Sequence, residues 1–179
     1  IAYRTQMLVV RVPGTRVRGF TFQYNNSTAV ISTPSVSLAA DDIVFENNDV
    51  LWSDWGGVYF YARTQGGGLR PPVRNVLLLN NRFNHCGNNG ILHSLGYQCR
   101  LIGNDTSFNN WRRFDPGWHA GGFKFFGLIQ DLRINQHTAR RNDAAGLWFD
   151  GVDYRQRLFQ NESAVPGSLG TTVTESVAE

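Results

Sequence analysis

Lys124 is the only lysine in this chain of 179 residues, against sixteen arginines, and it follows a stretch rich in groups that titrate, bind anions or stack. That stretch holds Trp111, Arg112, Arg113, Asp115, Trp118 and His119. An amine near other positive charge loses part of its affinity for protons, which makes Lys124 a candidate base. His119, with a ring that titrates near neutrality, is a candidate acid or base. Arg112 and Arg113 suit a bidentate grip on a carboxylate, with the two tryptophans as flat walls. Asp115 and Asp150 are the carboxylates on which an acid and base pair would draw. A plainer reading stands beside each: a loop anchored by its tryptophans with solvated arginines, and Lys124 with Asp150 as a solvated surface pair.

Something must hold these residues in place, and the chain carries a repeat that can. Asn25, Asn48, Asn81, Asn104, Asn135 and Asn161 recur at intervals of 23, 33, 23, 31 and 26 residues. Three residues before each stands an apolar one: Phe22, Phe45, Leu78, Leu101, Leu132 and Leu158. Gly57, Gly90 and Gly146 then open the short runs VYFY, ILHS and LWFD. Runs this short, β-branched or aromatic, are strands rather than helices. A period of 20 to 50 residues marks a solenoid whose units bury their apolar faces against each other. The fold expected is therefore all-β, a parallel solenoid of about six coils. Asn48, Asn81, Asn104 and Asn135 are expected to stack at one turn, in left-handed or amide-bonded positions. Two intervals exceed the base repeat, around residues 64–72 and 109–121, and insertions in solenoids form loops that often bind.

Strand alternation sorts the side chains. With Val58, Ile91, Phe123, Leu147 and then Phe60, His93, Phe125, Phe149 pointing inward, the interior is apolar but for one histidine, expected to be hydrogen-bonded. The opposite register would bury Lys124 and Asp150 and expose four aromatics, so desolvation selects the first. The outer face then presents Tyr59, Leu92, Lys124 and Trp148 in one row and Tyr61, Ser94, Phe126 and Asp150 in the next. Lys124 is expected to be exposed. Aromatic planes beside charged groups suit sugars, whose rings have apolar faces and hydroxyl rims.

Net charge of +3 with scattered arginines is too mild to demand nucleic acid, and no apolar stretch suits a membrane span. Cys86 and Cys99 lack zinc spacing and form no disulfide framework, though a single bridge between them is open. No phosphate loop, nucleophile elbow or metal motif is present. Asp41, Asp42, Asp49 and Asp54 could serve calcium or could be solvated turns. Asn26, Asn104 and Asn161 begin glycosylation triplets that matter only in a eukaryotic secretory host. Without an initiator Met or signal segment, the chain is expected to be a mature or trimmed product, or a slice of a longer solenoid.

At HAGGFKFF (His119 to Phe126) followed by LRINQHTARRNDAAGLWFD (Leu132 to Asp150), the chain resembles bacterial proteins with right-handed parallel β-helix repeats, the pectate-lyase-like architecture. The repeat likeness covers roughly residues 10–165 and the distinctive motif about thirty of them. One departure is His119, where a carboxylate often precedes the GG of the motif. The resemblance implies a right-handed β-helix over residues 1–165, with a loose final coil or tail at 166–179. It also implies a secreted or cell-surface protein acting on a polysaccharide. In a lyase, Lys124 or His119 would take the proton beside a uronate carboxylate that Arg112, Arg113 or calcium neutralises. In a glycoside hydrolase, Asp115 and Asp150 would be acid and base or nucleophile. Tyr59, Tyr61, Arg112, Arg113, Trp118 and Trp148 would bind the sugar. Since fold does not determine function, a non-catalytic carbohydrate-binding or structural rod is the alternative.

Overall fold

The computed structural model describes residues 6–26, 33–60, 73–118, 120–150, 171–174 and 177–178. Among them there is no helix, and every strand pairing is parallel. The first sheet runs in the order Leu8–Val10, Val36–Leu38, Val58–Phe60, Asn89–Tyr97, Gly121–Gln130 and Leu147–Asp150, with Val73–Arg74 also paired to Asn89–Tyr97. A second holds Arg16–Arg18, Val44–Glu46, Leu77–Leu79, Arg100–Ile102, Leu132–Asn135 and Thr171–Thr174. The third holds Thr21–Gln23, Asp49–Leu51 and Arg82–Asn84, and Thr138–Ala139 pairs separately with Val177–Ala178. The chain thus visits the sheets in a fixed order and returns one strand further along. Residues 171–174 and 177–178, expected in a loose final coil or tail, extend two of these pairings.

Three corners join the sheets, each marked by a residue with positive φ. They are Gly14, Asp42, Asn75, Gln98 and Asp131 at the first; Gly19, Asn47, Asn80, Gly103 and Gln136 at the second; Tyr24, Trp52, His85, Phe108 and Arg141 at the third. Within a circuit the three stand five residues apart, as in Asp42, Asn47 and Trp52. In the first three circuits each corner N–H donates to the carbonyl just before the corresponding corner residue of the next circuit, for example Asn47 N to Leu79 O at 2.9 Å and His85 N to Ser107 O at 3.3 Å, and Gly103 and Phe108 do the same in the fourth. Left-handed backbone is costly for a side chain bearing Cβ, and at these positions it is accompanied by an inter-circuit hydrogen bond.

The asparagine ladder exists, one residue beyond the second corner. Asn81 Oδ1 accepts from Asn48 N at 2.9 Å, and Asn104 Oδ1 from Asn81 N at 3.0 Å and Asn81 Nδ2 at 2.9 Å. These asparagines are buried, and their amides also donate to Val17 O, Phe45 O and Leu78 O. Of the two positions allowed for these asparagines the amide-bonded one holds, and one expectation, for Asn135, fails. The left-handed residues are the neighbours Asn47, Asn80 and Gly103, not the ladder asparagines. Asn135 is not a rung: it pairs with Ile102 inside a strand, and His137 stands at the position two residues on. A second ladder follows the third corner, where Asn109 Oδ1 accepts from Cys86 N and Asn142 Oδ1 from Asn109 N, both at 2.9 Å. Asn161 lies outside the described residues.

The interior is the one that alternation demands. Val58, Ile91, Phe123, Phe60, His93 and Phe125 are fully buried, and Leu147 packs against the same core. Phe149, on the last strand of the first sheet among the described residues, is 44% exposed, although its ring stacks on Phe125 at 4.7 Å. Glycines at the strand entrances answer to close approach: a Cβ on Gly57 would lie 2.5 Å from Gly90 O, and one on Gly122 2.5 Å from Gly146 O.

Candidate functional site

Because the corners keep constant spacing, circuits differ in length only between the third corner and the next first corner, the arc that includes the first sheet. The loop 109–120, described except at residue 119, lies on that arc; residues 61–72, Tyr61 among them, are outside the described residues. The outer face of the first sheet carries the row expected, with Tyr59 beside Leu92, Leu92 beside Lys124 and Lys124 beside Trp148. Phe126 stands beside Asp150 in the next row.

This row is outside the core but not exposed, which corrects the expectation for Lys124. The loop folds down over it. Tyr59 and Leu92 are buried with Trp55 in a second apolar cluster, against which Phe114 and Phe126 pack. Phe114 meets Trp55 edge to face at 4.6 Å. Asn110 shapes the loop: its Oδ1 accepts from Phe114 N at 2.9 Å, and its Nδ2 donates to Phe114 O and Asp143 O at 3.0 and 2.8 Å. Trp111 Nε1 donates to His85 O at 2.9 Å. Under the far end of the loop Lys124 is only 4% exposed. Its Nζ donates to the Trp118 carbonyl, pairs with Asp150 Oδ2 at 2.8 Å and lies 3.8 Å from the Trp148 ring centre. A buried ammonium needs partners for its charge and its protons. These three supply them, and in doing so fasten the loop to the sheet.

The structure therefore unites Lys124, Asp150, Trp148 and Trp118. It separates the others. Arg112 turns to Asp54, with Nη1 3.7 Å from Oδ1, and lies over Phe114; Arg113 extends into solvent near Asp143 at 4.0 Å. The expected arginine clamp is thus not formed, because Arg113 has φ of 58° and the turn sends successive side chains apart. Asp115 accepts from Gly117 N at 2.8 Å within its own turn. His119 lies outside the described residues. The loop exposes Trp111, at 48%, and Trp118, at 62%, together with Arg113, Asp115 and Pro116.

Elsewhere, polar groups capable of chemistry are buried or paired. His93 is buried without a hydrogen-bond partner among the described residues, contrary to expectation, and burial lowers its pKa to about 3. His137 approaches Thr106 Oγ1 at 2.9 Å, and burial, against the pull of Asp105, lowers its pKa to about 4. Cys86 and Cys99 are free, and burial pushes both thiols up to about 12. Asp49 is held by Arg82 and Asp54 by Arg112, and no group of three potential metal ligands occurs among the described residues. Asn104 is a buried rung and unavailable for glycosylation.

An exposed column missed by sequence reasoning runs along the third corner. Trp52 stacks on His85 at 4.1 Å, His85 on Phe108 at 5.0 Å, and Arg141 lies over Phe108 at 5.9 Å. Their ring faces are occupied by one another, so the column presents edges to solvent. The signal was an aromatic or cation five residues after each second-corner residue.

The chain matches no protein-family model, no curated protein and no solved structure.

Proposed function

We propose that the chain is a segment of a right-handed parallel β-helix that binds a polysaccharide, an acidic one in particular, along the outer face of its first sheet. The observation that carries the reading is the loop 109–120: it is fastened by Lys124, Phe114 and Asn110, yet holds Trp111 and Trp118 substantially exposed beside Arg113. Large apolar groups held exposed on an anchored loop bind at little ordering cost. Fixed visiting order, constant corner spacing and inter-circuit ladders support the solenoid part. A lyase that used Lys124 as its base would need that amine available, but its Nζ is enclosed by Asp150, Trp118 O and Trp148, and His119, the other candidate base, lies outside the described residues. A hydrolase needs Asp115 free to face Asp150, whereas Asp115 caps its own turn. Binding without turnover is therefore the reading adopted, and it carries with it a location where polysaccharide is met, at or beyond the cell surface.

Titration calorimetry of the intact chain against polyuronates and neutral glycans tests it. Trp118→Ala and Trp111→Ala should each weaken polyuronate binding about tenfold, a loss of about 1.4 kcal/mol, with the fold retained by circular dichroism and no unsaturated or reducing product formed. Turnover by the parent, or binding untouched by both substitutions, overturns the proposal.

A further inference from the structure

A separate cleft lies at the first corner, away from the loop. It encloses about 540 Å³ and is lined by Asp41, Asp42, Arg74, Asn75, Gln98, Arg100, Asp131 and Arg133. Three cations and three carboxylates meet there, but they are not paired one to one. Asp41 Oδ1 accepts from the backbone N–H of Arg74 at 2.8 Å, and Asp42 Oδ1 from Asn75 Nδ2 at 2.9 Å. Asp131 takes Arg133 Nε at 3.4 Å. No side-chain carboxylate among the described residues lies within ion-pair range of Arg74 or Arg100. Arg74 instead lies on the Tyr97 ring, 4.6 Å from its centre, and Arg100 reaches Asn75 Oδ1 at 3.4 Å.

Arg100 and Arg133 are moreover exact neighbours across paired strands. Like charges directly opposite in a sheet repel, and an anion seated between them reverses the sign of that interaction. Adjacent strands lie about 4.8 Å apart, a distance comparable with the advance of one sugar residue along a glycan. A guanidinium carbon placed over a tyrosine ring, with no carboxylate paired to it, leaves N–H donors available to a planar carboxylate.

We propose that this cleft is a second subsite, with Arg74, Arg100 and Arg133 gripping the carboxylates of a uronate-containing oligosaccharide. The proposal rests on the glycan-binding reading and adds to it a site on a different face.

One titration separates the two sites. The intact chain, labelled with nitrogen-15, is titrated with an oligogalacturonate, with a neutral oligosaccharide of equal length and with inorganic phosphate. Guanidinium Nε–H signals report the cleft and tryptophan indole signals report the loop. Expected are shifts of the Arg74, Arg100 and Arg133 signals with oligogalacturonate alone, and their loss in Arg100→Gln/Arg133→Gln with affinity at the cleft lowered at least about tenfold. Indole shifts without arginine shifts sink the cleft and leave the loop reading standing. Arginine shifts without indole shifts keep the cleft and sink the loop. Equal response to phosphate, or to the neutral sugar, overturns the assignment to a uronate, as does a double variant that binds like the parent.

Discussion

Replacing Lys124 by methionine keeps most of the stem and removes the charge that holds the loop. Three interactions go at once. A charged donor on the Trp118 carbonyl is worth about 1.5–3 kcal/mol, and the contact with Trp148 about 1–2 kcal/mol for a desolvated cation. The pair with Asp150, whose side chain is 47% exposed, adds no more than about 1 kcal/mol after screening. Methionine recovers part of this, because it spares the ammonium its desolvation. The net loss expected is about 2–4 kcal/mol, which for a chain of this size lowers the melting temperature by roughly 5–15 °C. A solvated lysine would change stability by no more than about 0.5 kcal/mol. Calorimetry of the variant gives the first readout. Limited trypsin digestion gives the second, since release of the loop should speed cleavage after Arg112 and Arg113. Asp150→Asn, combined with Lys124→Met in a double-mutant cycle, isolates the ion pair from the other two contacts. A Lys124→Met protein that melts with the parent and is nicked no faster would show that Lys124 does not fasten the loop.

Asn81→Leu strips partners from Asn48 N, Asn48 Nδ2 and Phe45 O together, and urea denaturation should show a loss of about 2–4 kcal/mol; an unchanged midpoint would mean that the ladder carries no stability. For His93 the folded pKa, about 3, lies below the unfolded value, so the unfolded chain binds more protons between about pH 6.5 and 3. Stability therefore falls as pH drops through that window by about 1.4 kcal/mol per unit, and His93→Leu should remove that one-proton slope; a slope identical in both proteins refutes the assignment. Gly57→Ala drives its new methyl against Gly90 O and should destabilise clearly, whereas Gly14→Ala meets open space and bears only the penalty of its φ of 74°. Equal melting points for these two variants would remove the close-approach argument. Both thiols should resist alkylation in the folded protein and react on unfolding, and modification of either under native conditions contradicts their burial.

The interior of the first sheet was legible because its physics is local. Alternation, one face apolar and the other not, puts Phe123 and Phe125 inside and Lys124 outside, and the strand register bears this out from Tyr59 to Trp148. The burial of Lys124 was not legible, since it depends on where a distant loop comes to rest. Periodicity counted on asparagine also misplaced one rung. The corner residues keep register in every circuit, but they are glycine, asparagine, glutamine, aspartate, tyrosine, tryptophan, histidine, phenylalanine or arginine, so residue type hides a constant backbone. Asn135 satisfied the composition without occupying the position, which His137 holds instead.

That constancy explains where function can reside. With the second corner always five residues past the first and the third five past the second, the second and third sheets cannot accept an insertion without breaking the asparagine ladders and the corner hydrogen bonds to neighbouring circuits. Only the arc from the third corner through the first sheet is free to change length, and it is there that Trp111 to Trp118 are inserted. A loop placed on such an arc must still be held, and the side chains able to hold it are the outward ones of the first sheet: Tyr59 and Leu92 through apolar contact, Lys124 through charge. A lysine at that point thus serves the loop before it can serve a ligand. Binding must then be sought in what the fastened loop shows to solvent, its tryptophans, and in charges that no loop covers, as at Arg100 and Arg133.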